Sequence, residues 1–214
     1  LADPEGRKPI AEAMLGGRDP EAAYERLMIG ASKAYPQYSG MMVPEAAKLH
    51  GKSRVDTILD VLMADNFAST EISFGMCEED IEYIMAQPFV MPGSDGEALP
   101  LDAPGKPHPR NFGTFVRVLA HYCRDRALFP LETAVQKMTS LPASRLGLSD
   151  RGVLKEGMWA DLVLFDVETL KDDPDFLNPQ QACSGIRRVY VNGVLTAQDG
   201  KHTGERAGQV LRRK

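Results

Sequence analysis

The chain has 214 residues, 43% of them hydrophobic, enough apolar material for one large domain or a domain with a small appendage, and not the composition of a disordered segment. A net charge of −5 leaves no basic excess for phosphate backbones, which argues against nucleic acid as a partner. No apolar run approaches the roughly 20 residues that span a bilayer and no charged-then-apolar segment opens the chain, so no membrane partner and a cytoplasmic location are expected.

The three cysteines, Cys77, Cys123 and Cys183, are far apart and form no C-x-x-C pair, so they are expected to be buried free thiols. Leu1 is not an initiator methionine, and Leu1–Gly6 shows no strand pattern. The expectation is a chain that begins partway through a longer protein.

In chain order, Asp19-Pro20-Glu21 has the form of a helix start, with an N-cap, a proline at the first helical position and an acid in the first turn, and predicts a helix over 19–28. Val43–His50 is expected to be a short helix closed by Gly51. Ser53 then caps a second, in which Val55, Ile58, Leu59 and Leu62 recur at helical spacing. A strand follows at Thr70–Met76, a helix at Glu78–Gln87, and a strand at Phe89–Met91 before Pro92-Gly93. That alternation is the grammar of parallel β/α units.

Residues 93–110, rich in Gly, Pro and Asp, are too long for an ordinary connection and are expected to be functional. Helix 111–127 comes next, with Phe115, Val118, Leu119 and Tyr122 on one face, then helix Leu131–Thr139 with Leu131, Ala134, Val135 and Met138 buried. From Gly152 the pattern changes to short strands: Asp161–Asp166, Arg188–Val191, Val194–Gln198 and one near Gln209–Leu211, with Asn192-Gly193 as a two-residue hairpin turn. The expected division is 1–150 for the β/α units and 151–214 for a small β unit.

Two pieces of the long loop carry chemistry. Asp95 lies in Gly93-Ser94-Asp95-Gly96, after the expected strand, where a parallel β/α architecture collects its reactive groups. Flanking glycines allow a sharp turn, and Ser94 is in place to orient the carboxylate; an ordinary Asx-turn explains the same residues. His108-Pro109-Arg110 closes the loop on a bend stiffened by proline, from which His108 and Arg110 can point back to Asp95. An arginine fork there binds a carboxylate, either a ligand's or that of a nearby acid such as Asp102. His50, His121 and His202 have no second histidine at ligand spacing and read as core or surface histidines.

Together these residues resemble the D-aminoacylase (N-acyl-D-amino-acid deacylase) family of the amidohydrolase superfamily. The likeness runs from about Gly40 to the end of the chain. It is carried by Phe89-Val-Met-Pro-Gly-Ser-Asp-Gly96, His108-Pro-Arg-Asn-Phe-Gly-Thr-Phe-Val-Arg-Val-Leu119, Ala134-Val-Gln-Lys-Met-Thr-Ser-Leu-Pro-Ala143, Arg151-Gly152 and Gly157-Met-Trp-Ala-Asp-Leu-Val-Leu-Phe-Asp166. The Gly-x-x-Ala-Asp-Leu-Val stretch supports the broad superfamily, and His-Pro-Arg-x-x-Gly-Thr-Phe the deacylase subgroup.

The resemblance implies an α/β fold, the C-terminal part of a (β/α)8 metal-dependent hydrolase barrel plus a small β-domain from the chain end. It implies Asp95 as the catalytic general base and acid, Arg110 as the residue gripping the substrate's α-carboxylate, and His108 as a support for that loop. It further implies an N-acyl amino acid as the small-molecule substrate and zinc as the cofactor. The family's principal zinc ligands, an H-x-H pair and further Cys and His residues, have no counterpart here and are expected upstream. No metal ligand is therefore assigned in this chain, which alone should bind zinc weakly or not at all and be inactive. An incomplete barrel leaves sheet edges and apolar faces open, which predicts self-association. A cyclic amidase of the same superfamily, dihydroorotase- or hydantoinase-like, and a non-catalytic interaction module stay open as alternatives.

Overall fold

A computed structural model describes residues 3–20 and 22–212. The chain divides into two compact units, one made of Leu1–Gly75, Asp102–His108 and Phe176–Gln180, the other of Met76–Leu101, Pro109–Asp175 and Gln181–Lys214.

The first unit opens with helix α1, Pro4–Leu15, which the sequence pattern does not announce because no apolar stripe runs along it and Pro9 lies inside it. Its ends are nonetheless well made: the Asp3 carboxylate accepts from the Gly6 amide at 3.0 Å and Gly16 closes it in the left-handed conformation. The helix expected over 19–28 does not form in the described residues. Two amides, of Ala22 and Ala23, return to the Asp19 carbonyl, Tyr24 takes φ 61°, and Leu27–Ala31 is strand β1. Glu21, part of that helix-start motif, lies outside the described residues. The apolar run Leu27-Met28-Ile29 is short enough to serve either periodicity, and pairing decided it. Strand β2, Thr70–Ser73, lies antiparallel to β1, with Met28 opposite Ile72. A Cβ on Gly30 would sit 2.8 Å from the Thr70 hydroxyl, so glycine is what lets the two strands approach.

Between these strands run α2, Val43–His50, and α3, Arg54–Ala64, as the spacing predicts. Gly51 is left-handed at φ 72°, and the Ser53 hydroxyl accepts from the Asp56 amide at 3.0 Å. Their apolar faces close on a core of Ile29, Tyr38, Val43, Ala46 and Val61.

The second unit begins with α4, Glu78–Ala86, close to its expected bounds. Phe89–Met91 is not a strand: it begins inside a turn in which the Val90 amide donates to the Gln87 carbonyl at 3.2 Å. A strand requires a neighbour to take up its backbone groups, and within this segment the Val90 carbonyl is instead taken by the ammonium of Lys137, which also holds the preceding Gln87 carbonyl. Every strand pair in the described residues is antiparallel, so the parallel grammar of the sequence is not realised within them. The helix expected over 111–127 is α5, Arg110–Arg117, running on as a π-helix over Val118–Asp125. Val118, Leu119 and Tyr122 are buried as the pattern predicts, whereas Phe115 is exposed. Helix α6, Leu131–Met138, buries Ala134 and Lys137 rather than Val135, and α7, Ser140–Leu146, follows directly. The core here joins Val118, Leu119, Tyr122, Phe129, Ala134 and Leu170.

The β segment of this unit is a four-stranded antiparallel sheet of β3 (Leu162–Phe165), β4 (Ile186–Val191), β5 (Val194–Gln198) and β6 (Lys201–His202), in that order. Asn192 and Gly193 both take positive φ, 49° and 84°, as the tight hairpin between β4 and β5 demands. Asp161 ties the motif preceding β3 to that hairpin: its carboxylate accepts from the Asn192 amide at 2.7 Å and pairs with Arg151. The strand expected near Gln209–Leu211 is absent, and the fourth strand is β6 instead. Of the three cysteines, Cys123 is buried and Cys183 partly so, but Cys77, at the N-cap of α4, is exposed.

Candidate active site

Asp95 occupies the loop between α4 and α5 with φ 48°, a left-handed conformation that a short polar side chain tolerates better than most. The Ser94 hydroxyl accepts from the Gly96 amide at 3.2 Å, so it shapes the turn, where the sequence suggested a hold on the Asp95 carboxylate. Beyond the turn the loop is tied to the start of α5. The Glu97 amide donates to the Asn111 side-chain carbonyl at 2.6 Å, and a Cβ on Gly96 would lie 3.1 Å from the Asn111 Cα.

That tether brings Asp95 beside Arg110, the first residue of α5. The guanidinium Nη1 lies 3.0 Å from the Asp95 Oδ2. Asp95 is thus an acid that meets Arg110 within the same unit. With Asp95 86% and Arg110 43% exposed, the pair is a solvated one worth at most about 1 kcal/mol, weak enough for another carboxylate to compete for the arginine. His108 belongs to the first unit, where its ring meets Phe176 edge-on at 5.1 Å between centroids and Phe176 in turn packs on Phe74 at 4.7 Å. Arg110 and Asp95 are therefore brought together within one unit, while His108 packs in the aromatic stack of the other.

Among the described residues no group of three or more His, Cys, Asp or Glu is placed to hold a metal ion. His50 bonds to Asp60 at 2.7 Å, His121 lies 3.3 Å from Glu78, and the His202 Nδ1 accepts from the Gly204 amide at 2.9 Å. The described side chains thus do not by themselves make a zinc site. No helix of the described residues is long and apolar enough to cross a membrane.

Two clusters escape sequence reasoning. In the first unit, Asp60 gathers His50, Lys52 and Arg7, and the Tyr38 hydroxyl lies 3.1 Å from the other nitrogen of His50. Burial raises the Asp60 pKa, but the hydrogen bonds from Lys52, His50 and Arg7 outweigh it and hold the carboxyl well below the usual range. The other is the buried Lys137. A signal for it exists: it stands three residues after Ala134, on the face that α6 turns inward.

Residues 42–197 match the amidohydrolase family, and the chain belongs to that family. Within it, the chain is 46% identical over 188 residues to a D-aminoacylase of Alcaligenes xylosoxydans xylosoxydans, a match covering 88% of this chain and 37% of that protein. A crystal structure of D-aminoacylase superposes with a TM-score of 0.77 at 42% identity, covering 94% of this chain and 39% of the other. An N-acyl-D-glutamate deacylase from Bordetella bronchiseptica, solved with zinc and a phosphonate inhibitor mimicking the tetrahedral intermediate, gives 0.74 at 38% identity, covering 89% and 38%. The chain thus spans a little over a third of the length of the relatives it matches, and its mixed helix and sheet arrangement is similar to theirs.

Proposed function

We propose that this chain is the C-terminal portion of a zinc-dependent hydrolase that removes the acyl group from N-acyl-D-amino acids, with residues 1–150 contributing the last units of a (β/α)8 barrel and 151–214 a segment of its small β-domain. The observation that carries the reading is the Asp95–Arg110 pair, a carboxylate able to move a proton beside a guanidinium able to hold an anion, 3.0 Å apart. The names of the relatives support it.

In this reading the α-carboxylate of the substrate takes the Arg110 fork, for which a planar bidentate anion competes well, and Asp95 is released from its partner. Freed, the Asp95 carboxylate accepts a proton from the water attacking the acyl carbonyl. It returns that proton to the amide nitrogen as the C–N bond breaks, giving a carboxylic acid and a free D-amino acid. His108, in its aromatic stack, supports the polypeptide leading into Arg110. The described residues do not provide a zinc site.

The test is hydrolysis of N-acetyl-D-amino acids, N-acetyl-L-amino acids and cyclic amides by the whole protein. D-isomers are the expected substrates; turnover of cyclic amides alone would replace this reading with the cyclic amidase one, and no turnover of any would favour a non-catalytic module. Asp95→Asn should lower kcat by about 10²–10⁴-fold, the usual contribution of a positioned proton carrier. Arg110→Ala should raise KM by roughly 10-fold or more for substrates bearing a carboxylate, the loss of a charged hydrogen-bonded contact, and leave KM for the matching carboxamides unchanged. Unaltered kinetics in both variants would refute the assignment.

A further inference from the structure

Lys137 is only 1% exposed, and burying an ammonium is unfavourable unless something in the interior offsets the lost hydration. Among the described residues no carboxylate lies within ion-pairing distance of it. Its Nζ donates to the Gln87 carbonyl in a short contact and to the Val90 carbonyl at 3.1 Å, and lies 5.8 Å from the centre of the Phe129 ring. Desolvation pushes its pKa down, so the interior opposes the charge that those contacts use. A methionine would fill the same volume without that penalty. What it could not supply is donors.

The two carbonyls belong to the stretch that leaves α4, where the last carbonyls of a helix have no partner within it. That stretch runs five residues further to Asp95. At the far end of the loop Asn111 receives the Glu97 amide at 2.6 Å. Asp95 therefore sits on a span pinned on the entry side by a buried cation of α6 and on the exit side by the first turn of α5, with no strand pairing to locate it.

We infer that Lys137 is a positioning residue for the Asp95 carboxylate, its buried ammonium clamping the Gln87 and Val90 carbonyls and so setting where the Asp95 loop starts. The inference rests on the deacylase reading of Asp95. It predicts a defect in turnover rather than in substrate capture, because Arg110 is held by its own helix.

The experiment measures kcat and KM of the whole enzyme on an N-acetyl-D-amino acid for Lys137→Met and Lys137→Gln, per folded molecule and well below each melting midpoint, together with amide exchange over residues 88–96. Lys137→Met should lose about 10–100-fold in kcat, the usual effect of a displacement near 1 Å, with KM within about twofold and faster exchange in that segment. Lys137→Gln, which keeps donors and is the milder change should the methionine variant fold poorly, should fall between it and the wild type. Wild-type kcat in either folded variant, a KM rise matching the kcat loss, or unchanged exchange would each overturn the inference and mark Lys137 as packing alone. Failure of the parent reading is separable: there Asp95→Asn keeps its activity, whereas here Asp95→Asn is inactive while the Lys137 variants are not impaired.

Discussion

Replacing Asp60 by alanine is expected to be among the most damaging single changes in the first unit. Asp60 is 16% exposed, and it bonds to Lys52 Nζ at 2.6 Å, His50 Nε2 at 2.7 Å and Arg7. Lys52 is 49% exposed, so that contact contributes under about 1 kcal/mol. Arg7 and His50 are mostly buried, and a hydrogen bond to a charged group is worth about 1.5–3 kcal/mol for each. Arg7 keeps a longer contact to Asp56 at 3.8 Å, which softens its loss. The total comes to roughly 3 kcal/mol, or a fall in Tm of about 6–12 °C for a chain of this size. The pH dependence follows from the depressed carboxyl of the folded state. Below the ordinary aspartate value near 3.8 the unfolded chain binds the proton first, so the stabilisation is complete above that pH and fades as pH drops through the lower folded value. Thermal melts followed by circular dichroism should therefore show the two proteins far apart at about pH 7 and converging in strong acid. A Tm change under about 2 °C near neutrality, or a gap that grows on acidification, would refute the account.

Other expectations are independent of that cluster. Gly185 takes φ 85°, and a Cβ there would stand 2.6 Å from the Leu170 backbone, so Gly185→Ala should cost roughly 2–5 kcal/mol from backbone strain and displaced packing, read as a lower midpoint in denaturant melts. Burial pushes the Cys183 thiol up to about 11, helped by Asp172 and Asp173, and burial also raises Cys123. Alkylation in the folded state followed by peptide mass mapping should find Cys77 modified first and the other two only after denaturation. Leu162, Val163 and Leu164 of β3, at the edge of its sheet, are all exposed and apolar, so the chain by itself should associate. A monodisperse monomer across a concentration series in sedimentation would contradict this.

Several parts of this protein can be read without coordinates because their causes are local. Gly51 and Ser53 end one helix and start the next through backbone conformation and a single cap, and Asn192-Gly193 turns a hairpin because both residues accept positive φ. The motifs that carry the family likeness are equally local, and the long loop holding Asp95 and Arg110 stands out by its composition and length. Other features depend on partners distant in sequence. Leu27–Ala31 is a strand because Thr70–Ser73 lies beside it, which takes Leu27 and Met28 out of the helix expected over 19–28, and in Phe89–Met91 the Val90 carbonyl goes to a lysine 47 residues away rather than to a neighbouring strand. The acid facing Arg110, the burial of Lys137 and the collection of three donors around Asp60 are likewise settled only when separate elements pack. By itself, then, the sequence determined the family, most helix ends and the loop that holds the proposed site. Which carboxylate meets which cation, and which backbone groups remain for a side chain to satisfy, was decided by tertiary structure, since hydrogen bonds and desolvation act on whatever the fold brings within about 3 Å.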